Sequence, residues 1–279
     1  MQFLDVKTDF AFKKVFGSEH SKNILIDFLN AIIDFENAEV TDLTIVDPYQ
    51  IPLLKGMKDS YVDVKAVLSN KTKVIIEMQV LNVEGFEKRV LYNAAKLYSN
   101  QLKRAQRYTG LEPIIALTIT DFPMFEEFDK VISYWNVREK DTLLKYSDDI
   151  ELIFVELPKF TKREDELTTI TEKWLYFIKH AGDLDFIPVT FTEPLLQEAF
   201  NMANTAGLPE EELDLQSKRR DFIYFQKGAV EKGRQEEKVM IARRSLEQGL
   251  EVQVVAAITG LSVNEVEQLQ GSKQKYINN

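Results

Sequence analysis

Three side chains that carry oxygen atoms lie close together in the first part of the sequence. Glu77 and Gln79 are two residues apart in the apolar run KVIIEMQV, so both point to one face if this run is a β-strand. Asp63 lies in the preceding run SYVDVKAVL, and the short segment SNK between the two runs favours a turn. The pattern therefore predicts an antiparallel hairpin that brings Asp63 close to Glu77.

Two neighbouring carboxylates have two stable chemical states. They can bind a hard cation such as Mg²⁺ through their oxygens, or they can share a proton, which raises the apparent pKa of the pair. A metal ion bound in this way activates water and stabilises a phosphoryl transition state. The alternative interpretation is that the strands are half exposed and the acids are only solvated.

The composition limits the class of protein. The chain has 279 residues and a hydrophobic content of 44%, which suits one large domain or a domain with appendages. It has no cysteine, which excludes disulfides and thiolate chemistry, and its two histidines argue against a His-rich zinc site. The start, MQFLDVKTDF, lacks the features of a signal peptide, and no apolar run approaches the roughly 20 residues of a membrane span. We therefore expect a cytoplasmic protein without a membrane partner.

The net charge of −10 argues against nucleic-acid binding, but the charge is unevenly distributed. The run from Lys88 to Arg107 contains six basic residues and no acidic one. A helix from about Phe86 to Tyr108 would have a basic face suited to a phosphate backbone and an apolar face suited to packing on a sheet. The basic face would consist of Arg89, Tyr92, Lys96, Lys103 and Arg107, and the apolar face of Leu91, Ala95, Tyr98, Leu102 and Ala105. The alternative for the basic face is plain solvation.

The remaining patterns predict a mixed α/β core followed by helices. Hydrophobic spacing predicts helices in TDFAFKKVFG and SKNILIDFLNAII. Strands are predicted in DLTIVDPYQI, PIIALTIT, VISYWNV and ELIFVELPKF. After Phe160 the pattern is helical, and from about Glu210 it is highly charged. We therefore divide the chain into a core at residues 1–160, a helical extension at 161–209 and a charged C-terminal segment at 210–279.

The order of these stretches resembles a known family. TDFAFKKVFG, SYVDVKAVL, IIEMQV, RVLYNAAKLY and ELPKF follow one another as in the recombination-promoting nuclease and transposase family of the PD-(D/E)xK nuclease superfamily. The resemblance covers about residues 5–160. It implies an α/β (α+β) fold with a restriction-endonuclease-like αβββαβ core and a helical C-terminal extension. It also implies Mg²⁺-dependent cleavage of DNA, linked to recombination or mobile elements.

The resemblance implies roles for individual residues. Asp63 and Glu77 would be catalytic and would bind Mg²⁺ or Mn²⁺, together with the backbone carbonyl of Met78. Asp9, in the first helix, is a further candidate ligand, or else an acid that complements the helix dipole. Gln79 stands where the superfamily has a lysine, so it can position the attacking water by hydrogen bonds but carries no charge. The alternative function is a catalytically weak or inactive DNA- or protein-binding module on the same fold.

In the family fold the basic helix directly follows the strand that carries Glu77, which makes it the expected DNA-binding element. The candidate DNA contacts are Arg89, Tyr92, Lys96, Lys103, Lys13 and Lys14. Lys13 or Lys14 could also supply the charge that Gln79 lacks. A plain surface position is the alternative for both of these lysines.

The C-terminal run EVQVVAAITGLSVNEVEQL has the outline of a helix-turn-helix, with Ala256, Gly260 and Val266 at suitable spacing. Its second helix carries Glu265 and Glu267 in this run and no base, whereas a helix that reads DNA is neutral or basic. We therefore favour a packing or protein–protein role for this segment. The long charged helix before it is a candidate for contacts between copies in a homo-oligomer.

Overall fold

The structure is a computed structural model that describes residues 2–35, 39–50, 60–102 and 105–277. The helices within these ranges are α1 (Asp9–Phe16), α2 (Lys22–Ile32), α3 (Phe86–Ser99), α4 (Ile170–His180), α5 (Pro194–Ala203), α6 (Glu210–Glu247), α7 (Val252–Thr259) and α8 (Val263–Ile277). The strands are β1 (Leu43–Ile45), β2 (Tyr49–Gln50), β3 (Ser60–Tyr61), β4 (Val64–Leu68), β5 (Lys73–Gln79), β6 (Ile114–Thr120), β7 (Ile132–Trp135) and β8 (Ile150–Glu156). None of the described helices combines the length and the apolar character needed to cross a membrane. Lys103, a predicted DNA contact, lies outside the described residues.

Six strands form one mixed sheet in the order β1-β4-β5-β6-β8-β7. The predicted hairpin is confirmed, because β4 pairs with β5 antiparallel and Val64 lies opposite Ile76. The pairs β5–β6 and β6–β8 are parallel, and β1 and β7 close the two edges antiparallel. Helices α1 and α2, strands β1, β4 and β5, helix α3 and strand β6 follow one another along the chain. This order confirms the mixed α/β class and matches the predicted αβββαβ core.

Helices cover both faces of the sheet. Because successive side chains of a strand point to opposite faces, Ile76 of β5 packs in the large cluster with Phe12 of α1, whereas Ile75 packs with Ala94 of α3. All seven residues of β6 are buried, as expected for a central parallel strand covered on both sides. Glu77, two residues after Ile75, therefore lies on the face that α3 covers.

The chain divides into two compact units, residues 1–220 and 221–279. The first unit includes α4 and α5, because Trp174 and Phe200 belong to the same apolar cluster as Phe16. The rings of Phe16 and Trp174 are 5.9 Å apart between centroids. The boundaries predicted at 160 and 209 therefore differ from those of the compact units, since the later helices complete the core of the first unit.

The second unit has a small apolar core of its own. Ala242, Val255, Leu261 and Val266 form a buried cluster that joins α6, α7 and α8 within this unit. Between α7 and α8 the chain turns at Gly260, whose φ of 67° lies in the left-handed region that glycine adopts without a steric cost. The helix-turn-helix outline predicted around Gly260 agrees with these two helices.

Helix α3 differs from its prediction in length and in orientation. It ends at Ser99 rather than at Tyr108. Leu91, predicted to pack on the sheet, is 53% exposed, whereas Lys96, predicted on the outer face, is 4% exposed. The predicted faces were therefore wrong for Leu91 and Lys96, whereas Tyr92 is exposed as predicted and Tyr98 packs against the buried cluster that contains Ile75 and Ala94. The buried residues of the helix are Phe86, Val90, Asn93, Ala94, Lys96 and Leu97.

The physical reason is that the larger apolar groups of α3 lie on the side that also carries cations. One side of the helix carries Phe86, Val90 and Leu97 at helical spacing. These side chains bury more apolar area than the predicted pair of Leu91 and Ala95 would. A lysine or arginine can share such a side, because its aliphatic stem packs against apolar groups. Absence of charge was therefore a poor guide to which side of this helix faces the sheet.

Candidate active site

Asp63 and Glu77 meet where the pairing of β4 and β5 ends. Asp63 immediately precedes β4, and its N–H donates to the carbonyl of Ile76 at 3.1 Å. Its Oδ2 accepts a hydrogen bond of 2.8 Å from the N–H of Met78. The two carboxyl groups are close enough that the charge of Asp63 contributes to a raised pKa of Glu77. The structure thus brings together the two acids that the hairpin pattern predicts as neighbours.

The main chain of Met78 also faces Asp63. In an extended strand the N–H and the C=O of one residue point to the same neighbouring strand, and those of the next residue point the other way. Since the N–H of Met78 is bonded to Asp63, its carbonyl is directed to the same side. The carbonyl of Gln79 agrees with this alternation, because it accepts from Asp121 beyond the end of β6 at 2.9 Å. This orientation is compatible with a Met78 carbonyl that joins Asp63 in binding a metal ion.

Two cations reach the carboxylates from helices on opposite faces of the sheet. Lys13 of α1 places its Nζ 3.5 Å from Asp63 Oδ1. Arg89 of α3 donates from one guanidinium nitrogen, Nη2, both to Glu77 Oε1 and to Gln79 Oε1, the latter at 2.7 Å. Each carboxylate therefore has its own positively charged partner.

Both ends of the Gln79 amide are engaged. Its Oε1 accepts from Arg89, and its Nε2 donates to the carbonyl of Leu81 at 2.7 Å. The sequence predicts that this amide positions the attacking water. In the structure its oxygen accepts from the Arg89 guanidinium beside the carboxylates, and the positioning of the water by Gln79 stays a prediction.

Burial is the main influence on both carboxyl groups. It raises the pKa of Asp63, against the opposing effects of the Met78 N–H and of Lys13. It also raises the pKa of Glu77, against the opposing effect of Arg89. A buried carboxylate is stabilised in its charged form by a nearby cation, and Lys13 and Arg89 provide one such cation for each acid. Acids perturbed by burial and by specific charged partners are also typical of functional sites.

The acid and the second lysine predicted on α1 differ in their relation to this pair. Asp9 lies one helical turn before Lys13, and its charge makes a small contribution to the raised pKa of Asp63. The carboxylate of Asp9 is paired with Arg219. Lys14 lies 3.5 Å from Glu212. Asp9 therefore stays a prediction as a metal ligand, and Lys14 is engaged by an acid rather than directed at Asp63.

The three predicted DNA contacts of α3 differ in their exposure and in the direction of their side chains. Tyr92 is 37% exposed. Lys96 is buried, with its Nζ 5.8 Å from the centre of the Tyr92 ring. Arg89 is directed at Glu77 instead of outward. The exposure of Tyr92 suits a contact with DNA, whereas the burial of Lys96 does not suit a direct phosphate contact in this arrangement.

Sequence reasoning missed Asn93. It lies one helical turn after Arg89, is 2% exposed, and its side chain forms a hydrogen bond with Glu77 that lowers the pKa of that acid. Its Oδ1 is buried and finds no hydrogen-bond partner among the described residues. The signal was the spacing itself, because residues i and i+4 of a helix point the same way.

The oxygen donors at this place fit a divalent cation of the Mg²⁺ or Mn²⁺ type. Two carboxylates and a carbonyl are the hard ligands these ions prefer, and Mg²⁺ commonly takes one or two carboxylates and keeps several waters. Across the described ranges, no three or more acidic, histidine or cysteine side chains converge in a ready-made cluster. An ion bound here would therefore depend on Asp63, Glu77 and Met78, and would compete with Arg89 for Glu77 Oε1.

The order of the elements and the acids at the end of the central strands define a nuclease-like α/β domain. Residues 6–233 match the family described as PD-(D/E)XK nuclease family transposase, and the chain belongs to this family. Residues 235–271 match a second description, the Rpn/YhgA-like nuclease family, C-terminal HTH domain. A search of curated proteins and a search of solved structures each gave no match.

These matches confirm the family that the five sequence stretches indicated. They support a nuclease-like function, and a nuclease domain followed by a helix-turn-helix domain implies binding to DNA. The helix-turn-helix itself, outlined by α7 and α8, is confirmed. The preference for a packing or protein–protein role of this segment stays a prediction.

Proposed function

We propose that the chain is a divalent-metal-dependent DNA endonuclease. The observation that carries the proposal is the meeting of Asp63 and Glu77 at one end of the sheet, where the Met78 N–H holds Asp63 and burial raises the pKa of both acids. A bound Mg²⁺ or Mn²⁺ would supply Lewis-acid activation of water and stabilisation of the phosphoryl transition state. The family supports the nuclease class, and the metal and the activity are our inference.

The protein groups have separate tasks in this proposal. The Met78 N–H fixes Oδ2 of Asp63, which leaves Oδ1 for the ion and for Lys13. Hydrolysis joins a water oxygen to phosphorus and breaks the bond from phosphorus to the leaving sugar oxygen. The proton lost by the water passes to solvent, and the leaving oxygen takes a proton from solvent. Lys13 is half exposed beside Asp63, so it can approach a phosphate oxygen of the DNA.

DNA binding would require protein groups other than the two carboxylates. In this proposal the exposed Tyr92 stacks on or beside the nucleic acid, and the helix-turn-helix match supports a second DNA contact as the alternative to the packing role that Glu265 and Glu267 favour. Self-association through α6, α7 and α8 is retained as a prediction, as is a link to recombination or mobile elements.

The test is cleavage of supercoiled plasmid by the purified chain with Mg²⁺ or Mn²⁺. Asp63→Asn and Glu77→Gln should each lower the nicking rate by about 100-fold or more, since each removes a charged ligand while keeping the size of the side chain. Glu87→Gln is the matched control, because Glu87 is an exposed acid on α3. Nicking by Asp63→Asn at the wild-type rate would remove this acid pair from the mechanism.

A second candidate function is a DNA- or protein-binding module without catalysis. It is favoured by the engagement of Glu77 and Gln79 with Arg89, which leaves the site internally neutralised. Calorimetric titration with Mn²⁺ separates the two functions. A nuclease should bind the ion with an affinity that Asp63→Asn abolishes, whereas equal weak binding by both proteins, together with an inactive wild type, would favour the binding module.

A further inference from the structure

Arg89 occupies a specific place in the site. Its Nη2 joins the side chains of Glu77 and Gln79, and the centre of its guanidinium lies 5.0 Å from the centre of the Phe86 ring. The Nε of Arg89 is buried and has no hydrogen-bond partner within the described part of the chain. Nη2 is therefore held by two oxygens, whereas Nε makes no hydrogen bond within the described residues. A change of the partners of Nη2 would break no hydrogen bond at Nε.

The two cations of the site differ in what they touch. Among the residues that the structure describes, the ion-pair partner of Lys13 is Asp63, and the lysine side chain is 45% exposed. Arg89 contacts both oxygen-bearing side chains of β5, including the one at position 79, where the superfamily pattern has lysine. The positive charge at that end of β5 therefore comes from α3, across the gap between helix and strand.

The contacts of Gln79 explain why an amide suits this position. A lysine at 79 would place an ammonium next to the Arg89 guanidinium, and two like charges at such a distance in a poorly solvated place repel strongly. A glutamine instead offers Oε1 to Arg89 and is anchored by its Nε2 to the Leu81 carbonyl. Gln79 and Arg89 together thus present one positive charge, as a lysine would alone.

We propose that Arg89 supplies the positive charge that the superfamily's lysine supplies, and that Gln79 is the positioning residue that holds Arg89. This inference rests on the proposed nuclease function. If Glu77 held a metal ion, the bond from Arg89 to Gln79 would keep the guanidinium at the site. Its planar set of donors would then be available to stabilise charge that develops on the phosphoryl oxygens.

A charge exchange between the two positions tests this directly. Plasmid nicking is measured for Arg89→Gln, Gln79→Lys and the double variant Gln79→Lys/Arg89→Gln. Each single variant should be slower than the wild type by about 100-fold. Arg89→Gln lacks the cation, and Gln79→Lys brings two cations close enough to repel each other. The double variant again has one cation and one amide, and it should be at least about tenfold faster than either single variant. Lys88→Gln, an exposed neighbour on α3, is the control and should cleave like the wild type.

The affinity for Mn²⁺ in the absence of DNA distinguishes a catalytic role of Arg89 from a purely structural one. Arg89→Gln frees Glu77 Oε1 from a competing cation, so it should bind Mn²⁺ at least as tightly as the wild type while cleaving slowly. Arg89→Lys keeps the charge but loses the fork, and it should recover part of the cleavage rate. Weaker Mn²⁺ binding by Arg89→Gln would assign its slow cleavage to a displaced Glu77 and would overturn the role given to Arg89.

Failure of this inference and failure of the proposed function give different results. If the wild type cleaves and Arg89→Gln cleaves equally fast, the chain is a nuclease and Arg89 is not its cation. If the double variant cleaves no faster than the slower single variant, moving the positive charge from position 89 to position 79 does not restore cleavage, and the inference is wrong. If the wild type does not cleave with either ion, the proposed function is wrong, and the catalytic role of Arg89 is rejected with it.

Discussion

A buried ion pair fixes the segment that follows β6, next to the candidate active site. Glu156, the last residue of β8, is fully buried, and its carboxylate accepts hydrogen bonds from the N–H groups of Met124 and Phe125 at 2.6 and 3.2 Å. Lys159 donates to the same carboxylate at 2.8 Å and to the carbonyl of Phe125 at 2.6 Å. The segment begins at Asp121, which is bonded to Gln79. We predict that the pair of Glu156 and Lys159 stabilises the first unit and holds the segment beside the candidate active site in place.

The magnitude follows from what Glu156→Gln leaves behind. The amide oxygen can still accept from the Met124 N–H, but the charge is lost and an N–H₂ group now faces the Lys159 ammonium. Breaking one side of a buried pair costs about 3–5 kcal/mol. We expect the lower end, about 3 kcal/mol, because Lys159 keeps the Phe125 carbonyl and its place 4.4 Å from the centre of the Phe128 ring. That is a large share of the roughly 5–15 kcal/mol by which domains are stable.

The assay is urea unfolding followed by tryptophan fluorescence. Trp135 is a local probe, since its ring stacks on Phe125 at 4.6 Å between centroids. Glu127→Gln, an exposed acid in the same segment, is the matched control and should unfold like the wild type. A second change, Lys159→Met, should return about 1–2 kcal/mol to Glu156→Gln, because it removes a buried ammonium that has lost its carboxylate partner. A decrease of less than about 1 kcal/mol in the free energy of unfolding of Glu156→Gln would refute the reasoning. A buried carboxylate that accepts from three donors should contribute more than that.

Three further predictions concern the site, the DNA and the packing. Burial raises the pKa of Asp63, so this group stabilises the fold fully below its unfolded pKa of about 4 and loses that contribution as the pH rises through its folded pKa. The melting temperature of Asp63→Asn relative to wild type should therefore rise between pH 4 and pH 7, and a constant difference would contradict the raised pKa. Tyr92→Ala should weaken binding to DNA by about tenfold in fluorescence anisotropy, and unchanged affinity would remove this ring from the interface. Gly182→Ala should destabilise the first unit by about 1–3 kcal/mol, because the new Cβ would lie 2.8 Å from the Asp5 main chain, whereas Gly228→Ala, which meets nothing within 4 Å in α6, should stabilise its helix by about 1 kcal/mol. Equal unfolding curves for these two glycine variants would contradict the packing described at Gly182.

The sequence by itself determined the elements, their order and the family. Val- and Ile-rich runs around Asp63 and Glu77 were sufficient to predict a hairpin, because side-chain alternation and a short turn are local properties. The five motif stretches indicated the family, and the spacing around Gly260 indicated the helix-turn-helix. Each of these depends on residues that are near one another in the chain.

Only the tertiary structure decided which side of α3 faces the sheet and what the site cations touch. Helical periodicity gives the members of each face, but which face is buried depends on the area that a neighbouring sheet can cover. Arg89 and Lys96 were placed outward on the basis of charge alone, yet their aliphatic stems allow them to lie along the covered side. The same is true of Lys13, since an ion pair between α1 and the start of β4 joins groups 50 residues apart, at a distance of 3.5 Å that no local pattern encodes.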